Sequence, residues 1–376
     1  MSNSLTLPSP MMKGQHDQRV RIATARMGLL FCIFFLIACG LGYPVLNRFD
    51  PRQTPGLSDV RTYAALVTGT ASADAGHVRF RVLVPWLARP FYRFAQGRFA
   101  TWDPVMFGLL VADSLLVAGT AILIFIMGGI LGRRLVNHDV GRSAIGIVGA
   151  LLFLVNFAVP NLRLVGLVDA GEGFFLLALL WILSAGELWA LPLIAMLGTL
   201  TKESFVPFSI VLTLGWWFST NVARHEGVAR SRRFSSSPLV WIPACWVLSV
   251  ATMIALQWWI SGGFVSPLQF GLALHRGDSY FSHFGRSLLD RNLWYIFLWL
   301  LPTSIPNLTR LPKSWTIPVG AMAIMAFGLD AYFGGAPGTV ARALFSVAGP
   351  ILSLSSALFL LPIQSQSHEA VGRSGK

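Results

Sequence analysis

Long uncharged apolar runs recur along this chain from residue 27 to residue 363, separated by short stretches in which basic residues gather. Each run is close to the ~20 residues that a helix needs to cross the hydrocarbon core. The pattern predicts an all-α, polytopic transmembrane bundle of about ten spans. They fall at about 27–47, 104–131, 144–160, 174–186, 189–200, 204–220, 238–260, 292–309, 315–333 and 343–363. The stretch 189–220 is too long for one helix, and Lys202–Glu203 interrupts it, so two short helices are expected to meet there. A tight turn is expected at Gly186–Glu187. Between the first two spans, residues 82–95 (VLVPWLARPFYRFA) are apolar with spaced arginines and aromatics. They predict an interfacial amphipathic helix in the first outer loop, broken by Pro85.

Composition sharpens the picture. Of 376 residues, 54% are hydrophobic and only 12% charged. A soluble domain carries about 25% charged residues, so water-soluble classes are excluded. The net charge of +13 does not point to nucleic acid, because the basic residues lie mainly in turns between apolar runs. That is the mark of cytoplasmic membrane flanks. It places residues 1–26 as a cytoplasmic tail, 27–363 as the membrane domain and 364–376 as a second cytoplasmic tail. The first span reads as a retained signal anchor. Arg79, Arg81, Arg89, Arg93 and Arg98 run against this bias. Either partners or lipid phosphates hold them, or the orientation is inverted. Cys32, Cys39 and Cys245 sit in apolar runs without metal-ligand spacing, and no phosphate-binding loop, dinucleotide fingerprint or zinc-protease motif occurs.

With the N-terminus inside, the outer side gathers Asp59, Asp74, Arg79, Arg81, Arg163, Asp169, Glu172, Lys202, Glu203, Asp278, Asp290 and Arg342. Charges this close to hydrocarbon are costly and usually mark a pathway or a site. In LSDVRTYAALVTG, Asp59 and Tyr63 share one face of a helix; the acid could serve as a general base or hold a cation, or simply start the helix behind Ser58. Arg79 and Arg81 suit a phosphate or pyrophosphate, or snorkel to anchor the interfacial helix. Lys202 and Glu203 mark a broken segment lining a cavity, or a structural ion pair. Asp169 and Glu172, with Arg163, could share a metal or position an acceptor, or lie in a solvated DAGEG turn. Arg342, after a glycine-rich stretch, could hold a lipid phosphate or mark the interface.

In order along the chain, Asp59–Tyr63 after the first span, Arg81 with Val84–Pro85–Trp86–Leu87, Thr201–Lys202–Glu203 and a late Arg342 with Pro350 resemble the GT-C superfamily of membrane glycosyltransferases, in a bacterial branch. The resemblance implies a GT-C-like fold in the bacterial inner (plasma) membrane. It also implies transfer of a sugar from a polyprenyl-phosphate donor to an envelope glycan, lipid or protein acceptor on the extracytoplasmic face. By it, Asp59 is the catalytic carboxylate and Arg81, Lys202 and Arg342 steady the lipid-phosphate leaving group; Tyr63, Arg79 and Glu203 join them as candidates for binding substrate or lipid phosphate. Asp169 and Glu172 remain candidates for acceptor or metal, with a divalent cation as the only cofactor in view. Two other readings stay open: a transporter or flippase of lipid-linked sugars, and a non-catalytic partner in envelope polysaccharide assembly.

Overall fold

The structure, a computed structural model, describes residues 10–48, 58–70, 76–99, 101–136, 139–225, 238–264, 280–333 and 338–361. All regular elements among them are helical. In chain order they are α1 (Pro10–Arg48), α2 (Ser58–Thr68), α3 (Leu83–Ala95), α4 (Pro104–Leu135), α5 (Asp139–Leu154), α6 (Asp169–Ala185) and α7 (Leu191–Thr201). There follow α8 (Phe205–His225), α9 (Pro238–Ser261), α10 (Tyr280–Leu288), α11 (Arg291–Phe297), α12 (Leu300–Ser304), α13 (Lys313–Phe333) and α14 (Thr339–Leu360). Five segments among the described residues are long and apolar enough to cross a membrane: Ile22–Asn47, Pro104–Leu135, Pro238–Ser261, Lys313–Phe333 and Thr339–Leu360. The architecture is that of a multi-pass membrane bundle.

Helix α4 is its axis. Asp103 caps it, accepting from the amides of Val105 (2.8 Å) and Met106 (3.0 Å), and Pro104 occupies the first helical position, where a missing N–H costs nothing. Arg133 and Arg134 close the last turn, where positive charge meets the helix dipole favourably. Around α4 pack α1, α3, α5 and α6. Glycine permits the closest of these crossings. A Cβ at Gly128 would stand 2.4 Å from the Gly146 Cα of α5, so the two backbones touch as small-residue membrane interfaces do.

Several expectations need revision. The first expected span is not a helix of its own: α1 begins at Pro10 and continues into it. Pro85 does not break α3; it lies in the first turn, where proline is tolerated, and is buried with Val84 and Ala88. The span expected at 144–160 ends at Leu154, beyond which Asn156 folds the chain back, its Oδ1 accepting from the Ala158 amide at 2.9 Å. The span expected at 292–309 is three short pieces, α11, α12 and a 3₁₀ turn over Ile305–Arg310. Pro302 and Pro306 lack the amides a continuous helix would need. Gly186 does end α6, in the left-handed region at φ 85°.

Candidate functional site

The break between α7 and α8 organises the site. Lys202 leaves α7 in an extended conformation (φ −164°, ψ 138°), so the next residues are free of the helical repeat and turn to different neighbours. Lys202 and Ser204 join one group of charges, and Glu203 joins another.

The first group assembles around Arg81, which follows a 3₁₀ turn (Gly76–Phe80) and precedes α3. Its guanidinium grips Glu203 with two parallel bonds, Nε to Oε2 at 2.8 Å and Nη2 to Oε1. The fork matches a carboxylate as an ammonium could not. Nη1 donates to the Tyr63 hydroxyl at 3.0 Å and lies 3.5 Å from Asp59 Oδ2. Asp59 and Tyr63 are one turn apart on α2, so a single helix face presents both. The His77 Nε2 stands 3.8 Å from Glu203 Oε1. Burial opposes charge on Glu203, but the Arg81 guanidinium outweighs it and holds the carboxyl down at about 2. Burial pushes the Tyr63 hydroxyl well up, so it stays protonated. Burial also lowers the His77 imidazole, although Glu203 pulls the other way.

The second group assembles at the first turn of α6. Asp169 takes Lys202 Nζ on Oδ1 at 2.9 Å and Arg342 on Oδ2, through Nε at 3.0 Å and through Nη2. Glu172 takes the same Lys202 Nζ on Oε2 at 3.0 Å and the Ser204 hydroxyl on Oε1. Behind them Arg163 donates through Nη2 to Ser346 Oγ (2.6 Å) and to the Arg342 carbonyl (3.2 Å). Acids at the start of α6 and a lysine at the end of α7 both suit the helix dipoles. Arg342, in the first turn of α14, opposes its dipole, and Asp169 compensates.

The two groups are layered in opposite senses. In the first, the Arg81 side chain is 7% exposed, whereas Glu203 and Asp59 are 24% and 31% exposed. In the second, Asp169 and Glu172 are wholly buried, whereas Lys202 and Arg342 are 13% and 20% exposed. One presents carboxylates outward and the other presents cations. Formal charges follow suit: Asp59, Glu203 and Arg81 sum to −1, and Asp169, Glu172, Lys202, Arg342 and Arg163 to +1. Lys202 of the second group and Glu203 of the first are consecutive residues of the break between α7 and α8. The groups therefore adjoin.

Of the residues singled out from sequence, Asp59, Tyr63, Arg81 and Glu203 meet in one group and Asp169, Glu172, Lys202 and Arg342 in the other. Arg79 turns elsewhere: its Nη2 donates to Ser261 Oγ at 2.8 Å, tying the 3₁₀ turn to α9, and its guanidinium lies over Phe80. Asp290 caps α11, accepting from Asn292 N at 2.9 Å, and takes the Gly338 amide at the start of α14. Asp74 and Asp278 lie outside the described residues. The DAGEG segment is helix, not a solvated turn, and its glycines serve close packing. A Cβ at Gly171 would stand 2.8 Å from Thr201 Cγ2. Lys202 Nζ bridges Asp169 and Glu172, so a positive charge already lies between the two carboxylates. Among the described residues no group of three or more His, Cys, Asp or Glu side chains is placed to hold a metal ion.

Sequence reasoning passed over His77, Ser204 and Ser346, none of which stands out in a single chain. It also passed over Asp113, deep in α4. That carboxylate is fully buried, and neither oxygen has a hydrogen-bond partner among the described residues. A lone acid in an apolar run near the middle of a predicted span is a signal that could have found it.

Comparison of the chain with protein-family models, curated proteins and solved structures finds no match in any of the three.

Proposed function

We propose that this chain is a GT-C-like membrane glycosyltransferase, moving a sugar from a polyprenyl-phosphate donor to an envelope acceptor on the extracytoplasmic face of a bacterial inner membrane. On this reading the N-terminus is cytoplasmic, and the shorter helices α5 to α8 with the pieces of 291–310 supply the crossings beyond the five long ones. The observation that carries the proposal is the opposite layering of the two adjoining charge groups.

Glycosyl transfer makes two demands. A base must take the proton of the acceptor hydroxyl as its oxygen bonds to the sugar's anomeric carbon, and positive charge must meet the phosphate oxygen as the bond from that carbon breaks. Asp59, the most exposed carboxylate of the first group, is the base. Lys202 and Arg342, held from behind by buried acids, face the departing polyprenyl phosphate. Arg81 has a different role from the one its sequence context suggests. Enclosed by Glu203, Tyr63 and Asp59, it orders the carboxylates instead of gripping phosphate.

The test is transfer from a radiolabelled polyprenyl-phosphate sugar in membranes bearing Asp59→Asn. Transfer should be lost while the amount of folded protein is unchanged, and lipid-linked donor should accumulate, as it should also when the protein is deleted. Undiminished transfer by the variant would remove Asp59 as the base.

A further inference from the structure

Arg163 is 3% exposed and lies in a short turn between α5 and α6. Its Nη2 is used twice, on Ser346 Oγ and on the Arg342 carbonyl. Its Nη1 is buried and has no hydrogen-bond partner among the described residues. A buried guanidinium N–H left unmatched is costly, more so inside a membrane domain where lipid offers nothing in exchange. Beside it is a cavity with mainly apolar walls, Phe153, Phe345 and Pro350 among them, and with Arg163, Thr120 and Ser346 as its polar members; it has room for roughly one water molecule. That size excludes a sugar, a phosphate or a lipid chain.

We infer that this cavity is the binding site of a resident water, held between the guanidinium of Arg163 and the hydroxyls of Thr120 and Ser346. The donor and acceptor count fits. Thr120 spends its proton on the Leu116 carbonyl at 2.9 Å, and Ser346 hydrogen-bonds the Arg342 carbonyl at 3.0 Å. Both oxygens keep lone pairs. A water accepting from Arg163 Nη1 can donate one proton to each hydroxyl, which gives it the three bonds typical of buried water. Phe345, whose ring centroid is 5.5 Å from the Arg163 carbon, and Gly173 wall the site. A Cβ at Gly173 would stand 3.1 Å from Nη1, so a glycine there leaves the water its place.

The site adds α4, through Thr120, to the turn bearing Arg163 and to α14, which Arg163 and Ser346 already join directly. Through Nη2 the watered Arg163 holds the backbone of Arg342, so the water lies behind the outward cations. The inference does not depend on the glycosyltransferase reading and is tested without activity.

The experiment uses the full chain purified in detergent. Exchange of ordinary water for oxygen-18 water should shift an O–H stretching band of a strongly bound water in the infrared difference spectrum, and Thr120→Val and Gly173→Ala should each abolish that band. In a double-mutant cycle of Thr120→Val with Arg163→Met, read by unfolding equilibria, the two changes should couple by roughly threefold or more, beyond the scatter of independent pairs. A band that survives both single variants overturns the site. So does additivity, and so does coupling without a band, which would mean the groups close directly on one another.

Discussion

The Arg81 and Asp169 groups use the same chemistry in reverse order. Around Arg81 the cation is inside and the carboxylates face out; around Asp169 the carboxylates are inside and the cations face out. Burying an ion without a partner costs several kcal/mol, so the interior member of each group is the one on which folding depends. The outer members are held in place by it and stand nearer the surface. On the proposed reading stability and reactivity are thereby assigned to different residues, and substitutions can separate them.

The largest effect is expected at the interior acid of the second group. Asp169→Ala leaves Lys202 and Arg342 without their shared partner and should cost about 3–5 kcal/mol, as breaking buried pairs does. Thermal unfolding in detergent measures this, and a loss below about 1 kcal/mol would show that water already screens the group. Next comes the interior cation of the first group. Arg81→Lys keeps the charge but loses the two-pronged grip on Glu203, for a cost of about 1–3 kcal/mol by the same measurement. Gly171→Ala should cost a similar ~1–3 kcal/mol by pushing α6 away from Thr201, and Thr201→Ser should relieve part of it by removing the opposing methyl.

A subtler separation comes from pH. The Glu203 carboxyl titrates at about 2 in the folded protein, below its ordinary 4.5. Its bond to Arg81 therefore contributes stability that is complete above the ordinary value and lost as pH falls through about 2. Glu203→Gln should flatten that part of the acid unfolding curve, and an unchanged curve would remove Glu203 as its cause. The smallest effect is expected at Arg79. Arg79 ties the 3₁₀ turn to Ser261, so Arg79→Gln should cost about 1 kcal/mol through the loss of that hydrogen bond and leave transfer intact.

The helical framework was legible in the chain because apolar run length reports directly on membrane crossing, and because Lys202–Glu203 interrupts an otherwise unbroken run. The Asp59–Tyr63 face of α2 was legible from its four-residue spacing. What the sequence concealed was pairing. Asp169 and Arg342 are separated by 173 positions, and Arg81 and Glu203 by 122; nothing local in a single chain says which acid meets which base. Hence Asp169 and Glu172 read as a loop when they are a buried helix start, and nothing near Arg81 in the sequence showed that Glu203, Tyr63 and Asp59 surround it. The 291–310 region reads as one continuous helix from its apolar content, whereas Pro302 and Pro306 divide its backbone into three pieces.

The central claim, that one group serves the acceptor and the other the departing phosphate, is most directly tested by measuring polyprenyl-phosphate binding and sugar transfer side by side on purified protein that keeps the wild-type melting behaviour. Lys202→Gln should weaken binding of the lipid phosphate by about tenfold or more, the loss of one charged hydrogen bond, whereas Asp59→Asn should bind it normally and fail to transfer. Equal loss of binding in both variants, or normal binding in both, would contradict the division.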